Sequence, residues 1–364
     1  MARRIVLFGA TGHTGRLVAE SLVASRASPL LAGRDAAALA ELARRLGGLE
    51  HAVADAGDQD SIAALLDPGT VLVTTVGPFG SRGHGAVRAA VERGATYLDS
   101  TGEPAFIRGV FERHGAAARA SGASLLPAMA FDYVPGVLAG TLAITSARAQ
   151  VTRVEVGYFV LGGASASRGT RRSAVATSLE ESVAFRDGRL QGARLADSAR
   201  RMRVAGSVRS GVSVGGAEHF ALPAVHPDLL EVAVYAGFFG RGVPAVRLAA
   251  RALAAAGRVP VLREALGAGL DRVAARGGDP GGDTDGESVV VARAYDAEHR
   301  RVSSIELRGG GPYGLTARIL AWAAIACTNR DLPPGALGAV EAFGAPALER
   351  GCAEAGLRRV TGDA

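Results

Sequence analysis

A short apolar run over residues 5–8 leads directly into Gly9, Ala10, Thr11, Gly12, His13, Thr14 and Gly15, and these lead into a helix-forming stretch from Arg16 to Val23. Strand, glycine turn and helix in that order constrain the fold more than any other feature of the chain. Glycines let the backbone bend tightly and approach a pyrophosphate, while the free N–H groups and positive dipole at the helix start favour its charge. A glycine pattern alone would be weak, but its place directly after a strand predicts a dinucleotide-binding crossover at the N-terminus.

The next segment selects the dinucleotide. Residues 28–32 read as a second strand, and an NAD site normally places Asp or Glu about 20 residues after the glycine turn to bind the ribose 2′-hydroxyl. Here the strand runs into Gly33-Arg34 instead. A guanidinium is a permanent planar cation suited to a 2′-phosphate, so NADP(H) is favoured, with Arg34 as selector. Asp35 reads as the N-cap of a helix over residues 36–46.

Strand and helix patterns keep alternating to about residue 130. Strands are expected at 51–54, 71–76, 96–99 and 124–127, and helices at 61–66, 85–93 and 104–120. With the first two strands this makes a six-stranded, doubly wound parallel sheet, an α/β Rossmann-type domain. Asp55, at the end of the third strand, is placed to approach an adenine. Gly77 lets the backbone lie against a cofactor at the edge of the fourth strand, and Pro78 fixes the loop. Beyond residue 130 the strand-like stretches 151–160, 203–208, 230–238, 287–295 and 302–307 dominate, as in a sheet-rich α+β lobe. The helices at 315–327 and 346–355 follow. The expected division is 1–130 for the cofactor, 131–312 for substrate and dimerisation, and 313–364 as helices returning to the first domain.

Composition removes several alternatives. The longest apolar helix candidates, at 134–144 and 319–327, fall short of the roughly 18–20 residues that span a bilayer, and no secretory pattern precedes the glycine turn, so a cytoplasmic protein is expected. The net charge of +6 comes from scattered arginines, not a stripe, which argues against nucleic acid. The glycine- and aspartate-rich loop at 276–286 lacks EF-hand spacing, and no metal is expected. Cys327 and Cys352 read as reduced thiols with no histidine near them in sequence, which disfavours a cysteine hydrolase. Most telling, all 41 basic residues counted as Lys or Arg are arginine. No lysine is present to form a Schiff base or to complete the Tyr-Lys pair of short-chain dehydrogenases.

Six ordered motifs now coincide: Gly9 to Gly15, Ala32-Gly33-Arg34, Val76-Gly77-Pro78-Phe79, Tyr97 to Glu103, Phe131 to Gly136 and Pro312 to Thr316. Together they resemble the saccharopine dehydrogenase-like oxidoreductases, and the branch called trans-acting enoyl reductases most of all. The resemblance implies an N-terminal Rossmann domain, a sheet-rich second domain inserted before C-terminal helices, and NADP(H) use. By matching positions, Gly9 through Gly15 would hold the pyrophosphate and Arg34 the 2′-phosphate. Val76, Gly77, Pro78 and Phe79 would run beside the ribose and nicotinamide. Thr101, Gly102 and Glu103 lie at the next strand's carboxyl edge, where ligands gather. Alternatively, Glu103 serves as a dipole partner at the start of the following helix. The missing lysines depart from relatives that use one as acid or base, which argues against an amino-acid dehydrogenase.

Hydride transfer is the cofactor's work, so the chain must orient a substrate and move a proton. Asp132 and Tyr133 stand where the two lobes join in sequence. Tyr133 is the favoured donor with Asp132 orienting it; the rival reading makes Asp132 a helix cap and Tyr133 a packing residue. Tyr313, His84 and His13 are lesser candidates, His13 as a phosphate contact. The expected function is an NADPH-dependent reductase of an activated C=C or C=N bond in a small or carrier-bound (thioester) substrate, possible in secondary metabolism and as a homodimer. The alternative is a non-catalytic NADP(H)-binding sensor or bridging protein; association with a lipid surface ranks third.

Overall fold

The computed structural model describes residues 3–162, 167–179, 181–238, 242–256 and 286–360. The chain divides into two units: one holds the stretch ending at Thr101 with Phe106–Phe131 and Tyr313–Leu337, the other Gly102–Ala105, Asp132–Pro312 and the stretch from Gly338 onward.

In the first unit strands β1 (Ile5–Phe8), β2 (Leu30–Gly33), β3 (His51–Val53), β4 (Val71–Thr74), β5 (Thr96–Asp99) and β6 (Ser124–Leu126) alternate with helices α1 (His13–Ala24), α2 (Ala36–Arg45), α3 (Gln59–Ala63) and α4 (Phe79–Arg93). Helices α5 (Pro104–Gly109) and α6 (Gly115–Ser121), joined by a π-helical turn, precede β6. All strand pairs are parallel, in the order β6-β5-β4-β1-β2-β3, which is the doubly wound arrangement. A seventh strand beyond the six expected, β15 (Gly335–Ala336), adds in parallel to β6. At two residues, one of them glycine, it carries no readable pattern.

Every residue of β1, β2, β4 and β5 is buried. Val6, Phe8, Leu30, Ala32, Leu72 and Tyr97 of these strands, with Ala86, Val87 and Ala90 of α4 and Phe106, form the core on one face of the sheet. Each fully buried large side chain stabilises by about 1.5–3 kcal/mol. Asp35 accepts from the Ala38 N–H at 3.0 Å and caps α2 as expected. Helix α4 begins six residues before its expected start at 85. Gly80, Gly83 and Gly85 weaken its intrinsic propensity, but a Cβ at Gly83 would meet the Phe106 ring at 2.7 Å, so close packing requires glycine there.

The second unit is built on a mixed nine-stranded sheet. Its main path runs β10-β11-β12-β7-β13-β14-β16, formed by Ala199–Val204, Ser207–Ser213, Glu231–Ala236, Arg153–Leu161, Glu287–Tyr295, Arg301–Gly309 and Arg358–Arg359 respectively. The hairpin of β8 (Ser182–Arg186) and β9 (Arg189–Ala193) joins through β12. Only β12 and β7 pair in parallel. Helix α7 (Val134–Ser146) packs on β7, β13 and β14, and α9 (Glu218–Val225) packs on α7, β8 and β12. Helices α8 (Arg168–Leu179) and α10 (Val243–Ala256) touch each other.

Two expectations are corrected here. Residues 203–208 are not one strand but the turn of the β10–β11 hairpin, with Ala205 at φ +48° and Gly206 at φ +79°. The C-terminal stretch does not stay with the first unit: α11 (Pro312–Thr328) belongs there from Tyr313, whereas α12 (Ala339–Phe343) and α13 (Ala345–Glu354) pack on α7, and β16 pairs with β14. Cys327 and Cys352 are free and buried, and burial pushes both thiols up to about 12. The loop expected at 276–286 lies, up to 285, outside the described residues. No helix among the described residues is long and apolar enough to cross a membrane.

Candidate cofactor and substrate sites

The glycine turn, Arg34, Asp55, the Val76–Phe79 stretch and Thr101 all follow the carboxyl ends of β1 to β5, so the parallel sheet collects them along one edge of the first unit. Gly9 adopts φ +87°, which only glycine tolerates easily, and a Cβ there would meet Val76 Cγ2 at 2.7 Å and Thr75 Oγ1 at 2.8 Å. The turn is tied down by Gly9 N–H to Ala32 O at 2.9 Å, Gly12 N–H to Gly9 O at 3.0 Å and the Thr75 hydroxyl to Gly9 O at 3.1 Å. A Cβ on Gly15 would collide with the Gly9 carbonyl. Helix α1 starts at His13 with no side-chain cap, leaving its first N–H groups for a ligand.

His13 stacks edge-on against Tyr313 with centroids 4.9 Å apart, and its buried Nε2 has no hydrogen-bond partner. Arg34 is exposed and forms no ion pair among the described residues. Asp55 Oδ1 accepts from the Gly57 N–H at 2.7 Å, which commits one oxygen to its own turn. The Thr101 N–H donates to buried Asp99 Oδ1 at 2.8 Å. His84 lies inside α4, not in a loop, 3.4 Å from His114 and against the Phe106 ring; burial lowers both imidazole pKa values. The uncapped helix start, the glycine cradle, an orphaned ring nitrogen and an unpaired guanidinium together fit a dinucleotide phosphate group.

Gly102, Glu103, Asp132 and Tyr133 fall in the second unit. There a cavity of about 460 Å³ is walled by apolar side chains, Pro104, Leu195, Val214, Phe238 and Val246 among them, with Ser173 and Thr177 of α8. Among the described residues no lysine, arginine or histidine lines it, and Asp132 is the one carboxylate. Tyr133 is 5% exposed, its ring sits at the cavity wall, and its hydroxyl donates to Gly102 O at 3.1 Å. Tyr133, not Asp132, holds the N-cap position of α7, so capping does not account for Asp132. Asp132 makes no hydrogen bond or ion pair among the described residues, and the protein mass around it pushes its carboxyl up to about 6. Glu103 is fully buried and accepts from Ser173 Oγ at 2.6 Å.

Sequence reasoning missed two groups of this site. Tyr158 of β7 donates to Tyr133 O at 3.1 Å and shares a short hydrogen bond with Glu218 of α9. Glu218 is fully buried, and burial raises its carboxyl to about 8. Nothing local marks either residue; the one signal is an acid inside the apolar run Glu218–Val225. Residues 211–215 also carry the spacing Gly-x-Ser-x-Gly. They form no nucleophile elbow, because Ser213 ends an antiparallel strand, its Oγ accepts from Ser198 N–H at 3.0 Å, and no hydrogen bond joins it to His219.

Comparison with known proteins defines the class of the first unit: residues 5–124 match the saccharopine dehydrogenase NADP binding domain. The matched segment carries the glycine turn and Arg34. The chain is 38% identical over 140 residues to a trans-acting enoyl reductase of Mycobacterium leprae, covering 37% of this chain and 34% of that protein. It is 33% identical over 146 residues to a lipid droplet localized protein of Caenorhabditis elegans, with the same shares covered. The matched segment thus spans about a third of these relatives. Along nearly its whole length, 99%, the chain shares the fold of an apo saccharopine dehydrogenase from Saccharomyces cerevisiae, with a TM-score of 0.57 at 13% identity.

Proposed function

We propose that the chain is an NADPH-dependent oxidoreductase that reduces an activated C=C or C=N bond in a substrate with an apolar body. The observation that carries this reading is that the chain has both an NADP-binding domain and an apolar cavity whose described lining holds one carboxylate, Asp132, and no cation. A volume of about 460 Å³ falls in the range of small-molecule sites. The described lining offers apolar surface and no Arg, Lys or His, which suits a substrate with an apolar body better than the amino-acid substrates of saccharopine chemistry. Enoyl thioesters fit it, as the name of the mycobacterial relative suggests.

In this reading Gly9 through Gly15 hold the pyrophosphate, Arg34 the 2′-phosphate, and Val76 to Phe79 border the nicotinamide ribose. NADPH, when bound, supplies the hydride. Asp132 and Tyr133 are the proton-bearing groups at the cavity wall. Tyr133 is held by Gly102, whereas Asp132 makes no hydrogen bond or ion pair among the described residues and its carboxyl is raised to about 6, toward the range in which a general acid works. Gly102 and Glu103 support that wall. A homodimer and a cytoplasmic location belong to the same reading and are checked by light scattering and by fractionation.

Calorimetry of NADPH and NADH binding tests the cofactor half: Arg34→Ala should weaken NADPH about 10- to 100-fold and leave NADH unchanged. For the proton, NADPH oxidation with trans-2-octenoyl N-acetylcysteamine thioester should fall at least 10-fold in Asp132→Asn or Tyr133→Phe, whichever holds the donated proton. A cyclic imine that arrives protonated should be much less affected. Absence of NADPH binding overturns the whole proposal.

A further inference from the structure

Tyr158 poses a proton-counting problem. Its hydroxyl has one hydrogen, yet two acceptors lie within reach: the Tyr133 carbonyl at 3.1 Å and Glu218 Oε1. Glu218 is wholly buried and its Oε2 has no partner. An ionised carboxylate in that place would have the Tyr158 hydroxyl and its own backbone N–H for partners and no cation among the described residues, at a cost of several kcal/mol. If Glu218 carries a proton, it can donate to Tyr158 while Tyr158 donates to Tyr133, and both contacts are used.

Glycines on both sides make room for this arrangement. A Cβ on Gly136 would strike the Tyr158 hydroxyl and Glu218 Oε1; one on Gly216 would strike Glu218 Oε2 and reach the Tyr133 ring at 2.7 Å. The carboxyl therefore packs between the Tyr133 ring and the backbone end from which that ring projects. Other ionisable groups on elements packed against α9 are Arg186 of β8, Glu231 and Tyr235 of β12, and Glu341 of α12. None of these acts on Glu218; besides burial and hydrogen bonds, only Asp132 does. Neighbouring His219 faces the Gly216 backbone, and burial lowers it to about 4, so it too is neutral.

We propose that Glu218, donating through Tyr158 to the Tyr133 carbonyl, is a positioning residue that holds Tyr133 at the wall of the apolar cavity. The relay rests on the reading of that cavity as a substrate site only for its consequence in catalysis. Its protonation and its hold on Tyr133 are measurable without substrate or cofactor.

Fluorotyrosine labelling of the full chain gives six resonances at most, and the one absent in Tyr133→Phe reports Tyr133. In wild type this resonance should shift with a midpoint near pH 8, where Glu218 loses its proton. In Glu218→Gln, which keeps a donor without a titrating proton, it should stay constant across that range. Tyr158→Phe, which cuts the relay without touching the acid, should also silence the response. A Tyr133 resonance that does not titrate in wild type, or that titrates equally in Glu218→Gln, overturns the proposal. With the octenoyl thioester, the alkaline decline of the wild-type rate should be absent in Glu218→Gln. If no turnover occurs but the resonance titrates as expected, the reductase reading fails and the relay stands.

Discussion

Two glutamates of the second unit are both fully buried, yet their surroundings differ in kind. Glu155 of β7 has every strong acceptor direction filled: Arg153 at 2.7 Å, Arg200 at 3.0 Å and the Tyr295 hydroxyl at 2.8 Å. It is the centre of an ion cluster near the start of β7. Glu218 has a tyrosine, a second carboxylate and no cation. Burial of an acid is thus two different statements: with arginines it describes a structural clamp, and without them it describes a neutral acid, which is the kind of group that marks a functional site.

The largest expected effect is on the pH dependence of stability. Glu218 rises from an ordinary 4.5 to about 8 in the folded chain. Between those values the folded state holds a proton that the unfolded state has released. Its stabilising contribution is therefore complete below about 4.5 and is lost as pH rises through 8. The slope is about 1.4 kcal/mol per pH unit, on the order of 5 kcal/mol over the window. Glu218→Gln should flatten this part of the profile, raising the thermal midpoint relative to wild type at pH 8.5 but not at pH 5. Equal slopes in scanning calorimetry would erase the contrast between the two glutamates.

Glu155→Gln comes next. Removing one partner of a buried ion cluster costs about 3–5 kcal/mol when it is fully enclosed. Arg153 and Arg200 are 24% and 42% exposed, so water screens part of the loss and we expect about 2–3 kcal/mol. Unlike the Glu218 effect, the deficit should be constant between pH 6 and 9. A pH-dependent deficit would place Glu155 in the same class as Glu218.

That contrast was not legible in the amino-acid sequence. The glycine turn, the Asp35 cap and the four-residue apolar strands are local signals, and the first unit follows from them because strand–helix alternation implies a parallel doubly wound sheet with its crossover from β1 to β4. Glu218 and Tyr158 are 60 residues apart, brought together by a mixed sheet whose strand order no periodicity encodes. The turn at Ala205-Gly206 shows the same limit, since alternation tells which residues face inward and not where the chain reverses. Asp132 and Tyr133 were findable because they sit beside a motif; the groups that set their environment were not. Helix α4 shows propensity overruled, its glycines kept by packing against Phe106 and not by backbone preference.

Tyr158→Phe should cost roughly 1–2 kcal/mol at pH 6, where it leaves the Glu218 proton without an acceptor. The loss should grow as pH rises past 8, because the ionised acid then depends on accepting a charge-assisted hydrogen bond from the Tyr158 hydroxyl. Urea unfolding at the two pH values separates this from simple loss of packing, which would be the same at both.

The smallest effect isolates the one charge that acts on Glu218. Asp132 titrates near 6 and is ionised throughout the range in which Glu218 loses its proton, so the two carboxyls repel and the Glu218 midpoint lies higher than burial alone would place it. Asp132→Asn removes that repulsion and leaves the burial. The alkaline midpoint, read from the Tyr133 resonance, should fall by a fraction of a unit while staying far above the ordinary carboxylate range, because burial is the largest cause of the shift. A fall to below pH 6 would mean that charge repulsion, not desolvation, keeps Glu218 neutral. An unchanged midpoint would mean that the two acids do not sense each other, and the proton chemistry of Asp132 would then be independent of the relay behind Tyr133.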